Sequence, residues 1–73
     1  MTKEDKQIIS QFASRMKAYR EAQGISQERL AENAHLHRTY IGSLERCEKI
    51  PSLVTVVKIS KALNIKISEL INN

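Results

Sequence analysis

The residues with the most evident chemistry lie between positions 38 and 46, on one face of a predicted helix. That face consists of Arg38, Thr39, Gly42, Ser43 and Arg46, which are polar, small or cationic. Ile41 and Leu44 fall on the opposite side, so they are expected to face the core. Guanidinium and hydroxyl groups can hydrogen-bond base edges in the major groove of DNA, and a threonine methyl can contact thymine. The pattern therefore predicts a helix face that reads DNA.

A second helix just before this one is needed to position the reading face. Leu30, Ala31 and Ala34 suit one face of a short helix. The helical register then breaks at residues 34–36, so the two helices cannot be continuous. Ala31 lies where they would cross, and its small side chain lets the backbones approach closely. A short helix, a tight turn and a second helix form the helix-turn-helix unit, whose second helix can lie in a major groove.

The residues of the reading face have functional and plainer interpretations. Arg38 can bond guanine O6 and N7, which is worth about 1–3 kcal/mol of discrimination between bases. Gly42 costs the helix roughly 0.5–1 kcal/mol relative to alanine, and close approach to the groove would explain it, although a neutral accident is nearly as good an explanation. The plainer alternative for the whole face is a solvated polar surface.

A separate set of residues is expected to hold the phosphate backbone of DNA. Gln27 begins the first helix of the unit, where backbone N–H groups and its amide can bind a phosphate. Tyr40 can reach a phosphate through its hydroxyl or simply cover the edge of the core. Arg46 and Lys49 are expected phosphate contacts, with plain surface charge as the alternative.

Composition limits the protein to a small basic helical domain. The 73 residues are expected to form a single domain, and 41% apolar with 4% aromatic content suits an all-α fold. A net charge of +4 is a moderate attraction toward polyanions. No apolar run is long enough for a membrane span, and no signal-peptide core is evident, so a cytoplasmic protein without a membrane partner is expected.

Catalytic and metal chemistry find little support in the sequence. His35, His37 and Cys47 invite a metal interpretation, but they lack CxxC or HxxxH spacing and a fourth ligand. The single cysteine excludes an intramolecular disulfide. No Ser/His/Asp set, paired-carboxylate cleft or phosphate loop is present. We therefore expect no enzymatic activity, no metal, no cofactor and no small-molecule ligand.

The remaining helices follow from apolar periodicity and capping residues. Residues 1–7 are expected to fray, with a first helix from about position 3–6 to Gln23. Ser26 is an N-cap candidate for the second helix, which should end near 33–34. Ser52 is an N-cap candidate for the fourth helix, which should end at about 63. The third helix should span about 37–46. The fourth helix is expected to have a broad apolar face, formed by Leu53, Val56, Val57, Ile59, Ala62 and Leu63. β-Branched residues in 54–59 also permit a strand, but the Ser52 cap, polar residues at helical spacing and the lack of a partner strand favour a helix. A short last helix should reach about Asn72.

With these motifs in place, the sequence resembles the phage-repressor-like (Cro/Xre) helix-turn-helix family. The resemblance covers roughly Phe12 to Ile71 and rests on four short motifs: Gly24-Ile25-Ser26-Gln27-x-x-Leu30-Ala31, Tyr40-Ile41-x-x-Leu44-Glu45-Arg46, Pro51-Ser52-Leu53 and Ala62-Leu63-Asn64-Ile65. Residues 37–46 look most like the controller proteins of restriction–modification systems. The resemblance implies a compact five-helix lambda-repressor-like domain whose third helix reads DNA. It also implies a small dimeric regulator that binds operators near its own and the endonuclease promoter.

The resemblance further implies a buried or half-buried ion pair between Arg20 and Glu45. A bidentate guanidinium–carboxylate pair would fix the tilt of the reading helix, so we assign it an orienting role. Several positions depart from the family pattern. His35, Cys47 and Asn64 stand where glycine is usual, which leaves the turn geometry open, and His37 replaces a capping Ser or Thr, so the third helix should start less firmly.

Dimerisation is expected from size and from surplus apolar residues near the C-terminus. One reading helix covers about half a site, and the family places two such helices about 34 Å apart on DNA. The candidate interface consists of Val54 in the fourth helix and of Ile67, Leu70 and Ile71 in a dimer-forming segment at 65–73, although Leu70 is the best candidate for internal packing.

The sequence as a whole predicts a homodimeric, sequence-specific transcriptional regulator on a double-stranded, pseudo-palindromic operator, acting as an autoregulatory controller of a restriction–modification system. Alternatives are a phage or mobile-element repressor and an antitoxin-type protein whose main partner is a toxin. A non-specific nucleoid-type binder is disfavoured because a charge of +4 spread along the chain is too small.

Overall fold

The computed structural model describes residues 1–71 and consists of short helices joined by tight turns. The helices are α1 (Lys3–Ala22), α2 (Gln27–Ala34), α3 (Arg38–Glu45), α4 (Leu53–Leu63) and α5 (Ile67–Leu70). Residues 1–71 contain no β-strand, so the helical assignment of the β-branched segment was right. The predicted all-α, five-helix fold is confirmed.

The start of α1 falls within the predicted range of 3–6. The helix begins at Lys3 behind a capping box. The Asp5 N–H donates to Thr2 Oγ1 at 3.0 Å, and the Thr2 N–H donates to Asp5 Oδ2 at 3.1 Å. These bonds satisfy backbone donors that a helix N-terminus otherwise leaves unpaired, and the carboxylate complements the helix dipole.

Three turns contain a non-glycine residue in the left-handed backbone conformation. His35, Cys47 and Asn64 have φ of 58°, 62° and 56°. The turn geometry that these departures from the family pattern left open is therefore the left-handed one. Histidine and asparagine adopt this region more readily than most residues, whereas cysteine at 47 carries more of the roughly 1–2 kcal/mol steric cost.

The core is built from the inward faces of α1 to α4 and closed by α5. Its fully buried side chains include Met16, Leu30, Ile41, Leu44, Ile59, Leu63 and Leu70. Ala31 is 2% exposed within this cluster, as expected for a small residue between crossing helices. None of the helices between residues 1 and 71 is both long and apolar enough to cross a membrane.

The first turn of α4 departs from the predicted apolar face. Leu53 was assigned to that face, but 75% of it is exposed. Ser52 accepts the Thr55 N–H at 3.0 Å, and Thr55 is buried although it was not among the residues of that face. Leu53 is the first residue of α4 and does not belong to the core cluster.

The C-terminal helix is short and packs against its own chain. It ends at Leu70 rather than near Asn72, and residues 72–73 of the expected dimer-forming segment lie outside the described residues. Leu70 is 0% exposed, so the expectation that it packs internally is confirmed and its place among the candidate interface residues was wrong. The Tyr19 hydroxyl also donates to the Glu69 carboxylate, which joins α5 to α1.

Candidate nucleic-acid interface

A shallow cleft separates the first turn of α2 from the exposed side of α3. Its lining, which we call the α2–α3 cleft, consists of Arg20, Ser26, Gln27, Glu28, Arg38, Thr39, Gly42 and Arg46. The structure thus brings together most of the residues that the sequence assigned to bases and phosphates. The cleft also contains Glu28, a carboxylate that the sequence analysis did not assign to the site.

His37 caps the helix that carries the reading face. Its Nδ1 accepts the Thr39 N–H at 3.1 Å, and its backbone is extended, as at other N-caps. We expected a weak start for this helix because serine or threonine is usual here. The imidazole instead supplies the acceptor, so α3 begins with one of its backbone donors satisfied.

A buried ion pair fixes the far end of α3 against α1. Arg20 donates to both Glu45 oxygens, from Nε at 2.7 Å and from Nη2 at 3.1 Å. The side chains of Arg20 and Glu45 are 11% and 5% exposed. Arg20 Nη1 also donates to the Ile25 carbonyl at 2.9 Å, so the guanidinium joins α1, the α1–α2 loop and α3. The pair that the resemblance implied is present with bidentate geometry.

Gln27 belongs to this ion-pair network. Its Nε2 donates to Glu45 Oε1 at 3.0 Å, so the amide is held toward α3. Burial acts to raise the pKa of the Glu45 carboxyl, but hydrogen bonds from Arg20 and Gln27 outweigh burial and hold that pKa below its ordinary value. The sequence analysis assigned Gln27 to phosphate and missed this contact, because the pattern of one helix does not show what lies across from it.

Arg46 lies across the outer side of Gly42. A Cβ on Gly42 would come within 3.1 Å of Arg46 Nη1 and 3.5 Å of Gln27 Oε1. Arg46 also donates to both Glu48 oxygens, at 3.0 and 3.1 Å. This bonding raises the pKa of Arg46 and lowers the pKa of Glu48. Gly42 is therefore covered by side chains of its own protein, and its lack of a side chain makes room for the guanidinium.

The other expected contacts differ in how well they face solvent. Arg38 is exposed and its Nη1 lies 3.6 Å from Glu28 Oε2, while Thr39 and Lys49 are also exposed. Ser43 is only 8% exposed, and its hydroxyl donates to the Thr39 carbonyl at 3.0 Å. The expectation that Ser43 faces outward was wrong. Helical periodicity alone does not show which side of α3 the rest of the protein covers.

Of the two roles considered for Tyr40, a phosphate contact and cover for the edge of the core, the contacts of its side chain favour the second. Its ring packs against the core cluster, and its hydroxyl lies 3.3 Å from Thr55 Oγ1. That contact joins α3 to α4. Among residues 1–71, no group of three or more His, Cys, Asp or Glu side chains is arranged to hold a metal ion.

Replacing Gly42 with alanine tests the packing of Arg46. We expect the free energy of unfolding to change by less than about 1 kcal/mol, because the gain in helix propensity offsets the contact with a flexible guanidinium. DNA binding should weaken about two- to fivefold, because Arg46 is displaced, a loss of roughly 0.5–1 kcal/mol. Urea denaturation and fluorescence anisotropy with labelled DNA measure the two effects. Unchanged DNA binding would show that the position of Arg46 on Gly42 is immaterial.

The chain belongs to the helix-turn-helix family, which residues 16–70 match. Its relatives include control protein C.SmaI of Serratia marcescens, 46% identical over 60 residues that cover 82% of this chain and 71% of the relative. The immunity repressor protein of Bacillus phage phi105 is 39% identical over 57 residues, covering 78% of this chain and 40% of the repressor. The crystal structure of the restriction-modification controller protein C.AhdI from Aeromonas hydrophila has a TM-score of 0.83 at 40% identity, covering 85% of this chain and 94% of that one.

These relatives define the class of protein. The chain is a DNA-binding helix-turn-helix transcriptional regulator of the Xre type, similar to restriction–modification controller proteins. The resemblance inferred from the sequence motifs is confirmed.

Proposed function

We propose that this protein is a homodimeric, sequence-specific regulator that binds a pseudo-palindromic operator and controls its own restriction–modification system. The observation that carries the proposal is the α2–α3 cleft, in which exposed Arg38 and Thr39 project from a helix anchored by the buried Arg20–Glu45 pair. A rigid helix is what base recognition requires, since a displacement of about 1 Å breaks a bidentate hydrogen bond.

In this proposal, Arg38 and Thr39 read base edges while the ends of the unit hold phosphates. The N-terminus of α2 offers backbone N–H groups and a positive dipole end, which suit a phosphate. Arg46 and Lys49 add cationic contacts beyond the C-terminal end of α3. Gln27 acts mainly through Glu45, and Ser43 takes no part because its hydroxyl is bonded within the helix.

The exposed apolar side chains support a second copy of the chain as the partner. Val54 is 62% exposed, and Ile67 and Ile71 are 40% and 39% exposed. Leu53 and Ile50, at 75% and 64%, extend the apolar surface beside Val54 and were missed in the sequence analysis. An isologous interface uses one such surface twice, and it would present two copies of α3 to successive turns of DNA.

Replacing Val54 with aspartate tests this interface. We expect the dissociation constant of the dimer to rise about tenfold or more, because a carboxylate would lose its hydration between the two copies. Analytical ultracentrifugation of the free protein measures the change. Ile8→Asp is the matched control, since Ile8 is an exposed apolar residue of α1 beside Glu4, Gln7 and Gln11. Equal effects of both variants, or a wild type that is monomeric at all concentrations, would contradict the proposed interface.

Binding to DNA immediately upstream of the protein's own gene tests the regulatory role. We expect nanomolar binding by two protomers that survives an excess of random duplex, with an affinity that falls steeply between two salt concentrations. Loss of all binding to the competitor would contradict a specific regulator. The similarity to a phage immunity repressor supports one alternative, a phage or mobile-element repressor. An adjacent restriction–modification operon would favour the controller function, and a prophage context the repressor.

A further inference from the structure

The DNA-facing arginines of the α2–α3 cleft are each paired with a carboxylate. Arg46 Nε and Nη2 donate to the two oxygens of Glu48, and Arg38 Nη1 lies 3.6 Å from Glu28 Oε2. These pairs are exposed on both sides: the side chains of Arg46 and Glu48 are 58% and 54% exposed, and those of Arg38 and Glu28 are 70% and 72% exposed. Both carboxylates offset part of the attraction that the two arginines exert on phosphates.

A carboxylate beside a DNA-binding arginine affects two kinds of complex differently. In a loose complex with arbitrary DNA, a phosphate must compete with the carboxylate for the guanidinium, and the carboxylate also repels the backbone. In the specific complex with an operator, which we call the seated complex, α3 lies in the major groove. Its fixed position there places both arginines beside phosphates and base edges. The carboxylates therefore weaken the loose complex more than the seated one.

We propose that Glu28 and Glu48 are specificity-determining residues that hold Arg38 and Arg46 away from DNA until the correct operator seats α3. The inference rests on the proposed function, since it assumes an operator read by α3. Neither residue needs to contact DNA. Their effect is to keep the affinity for random sequence low, because each carboxylate competes with arbitrary phosphates for its arginine.

Replacing Glu48 with glutamine frees Arg46 and is the main test. We expect binding to random duplex to strengthen roughly five- to tenfold near 0.1 M salt, and the slope of log K against log salt to steepen by about 0.9, the change for one added phosphate contact. Operator binding should strengthen less than about threefold with an unchanged slope, because Arg46 already makes its contact there. Glu28→Gln should act in the same direction, with a smaller change because its pair with Arg38 is longer.

Glu32→Gln is the matched control. Glu32 forms an exposed pair with Arg29 at 2.8 Å, and neither residue lines the cleft. The control removes the same charge and the same kind of ion pair, so it should change neither the ratio of operator to random affinity nor the salt slope. All variants are measured by fluorescence anisotropy on the full chain, with operator and random duplexes of equal length.

The outcomes separate this inference from the function on which it rests. A fall of about twofold or more in the ratio of operator to random affinity for Glu48→Gln, but not for Glu32→Gln, supports the inference. An unchanged ratio for Glu48→Gln, or an equal fall for both variants, overturns it and leaves the regulator intact, because the pairing of Arg46 with Glu48 then has no effect of its own on specificity. A loss of operator affinity in Glu48→Gln also overturns it, since Glu48 would then support the bound state. A wild type without preference for any operator overturns both proposals.

Discussion

Replacing Arg20 with methionine is expected to lower the free energy of unfolding by about 3 kcal/mol, because it leaves the Glu45 carboxylate buried without its partner. Both side chains are largely buried, at 11% and 5% exposure, so solvent screens the pair weakly. A domain of this size has a total stability of roughly 4–11 kcal/mol, so the variant should be markedly easier to unfold. Urea denaturation at neutral pH measures the loss.

The same variant should also change how stability depends on pH. The pKa of Glu45 is lowered in the folded protein, so the stabilisation by its pair is present above the ordinary glutamate pKa of 4.5. It is lost as the pH falls through the lowered folded value. In Arg20→Met, burial without the guanidinium should raise the pKa of Glu45, so this carboxyl takes up its proton at a higher pH than in the wild type. The difference in stability between the two proteins should therefore be largest at neutral pH and shrink steadily on acidification, until both carboxyls are protonated. A difference that stays constant with pH would show that Arg20 acts by packing rather than by pairing with Glu45.

The double variant Arg20→Met with Glu45→Met separates pairing from orientation. Stability should recover by about 1 kcal/mol or more relative to the single variant, since no charge is left buried. Specific DNA binding should be weaker than in the wild type in both the single and the double variant, because α3 lacks the bidentate contact that fixes its tilt. Recovery of both properties would contradict the orienting role that we assign to the pair.

Replacing Arg38 with alanine is expected to weaken operator binding by about ten- to a hundredfold and to change random-duplex binding little. The expected loss follows from a bidentate arginine–guanine contact, worth about 1–3 kcal/mol. The exposed position of Arg38 at the start of α3 gives its guanidinium access to a groove. The loss should be confined to operators that keep the cognate base pair, so the variant should tolerate substitutions at that position.

Lys49→Ala provides the comparison for Arg38→Ala. Lys49 is exposed beyond α3, and as a phosphate contact it should contribute similarly to every duplex. Its loss should weaken operator and random binding by a similar factor and reduce the salt slope by about 0.9. A competition series over single-base operator variants compares the two proteins. Equal profiles for both variants would contradict the division between base reading and phosphate binding.

The helices followed from local signals that the sequence carries. The bounds of α2 and α4 were predicted within a residue because Ser26 and Ser52 accept backbone N–H groups at their N-termini. His35 and Asn64 then end these helices in the left-handed region. Such features depend on a few consecutive residues, so a single sequence suffices to find them.

The errors arose where burial depends on other helices. Helical periodicity predicted that Ser43 faces solvent and that Leu53 faces the core. In the structure Ser43 is buried and Leu53 is exposed. Leu70 was placed among the interface candidates although internal packing was expected of it, and it is buried in a helix that packs against α1 and α4. A periodic pattern shows only which residues share a face, not what covers it.

The sequence analysis predicted the cationic residues of the candidate site but not the carboxylates that pair with them. Arg38 and Arg46 were found from their position on α3, but Glu28 lies on another helix. Glu48 meets Arg46 only because the chain turns back at Cys47, whose φ of 62° the sequence left open. The cap supplied by His37 was also missed, because capping preferences rank hydroxyl and carboxylate side chains above imidazole.

The most direct test of the central claim, that α3 reads DNA sequence from a two-fold dimer, is selection of binding sites from a randomised duplex library by the wild-type protein. We predict enrichment of one pseudo-palindromic motif whose half-sites are centred roughly one helical turn, or a small multiple of it, apart. Arg38→Ala should lose a base preference at symmetric positions in both half-sites. Absence of any enriched motif, or a single half-site bound by one protomer, would contradict the account.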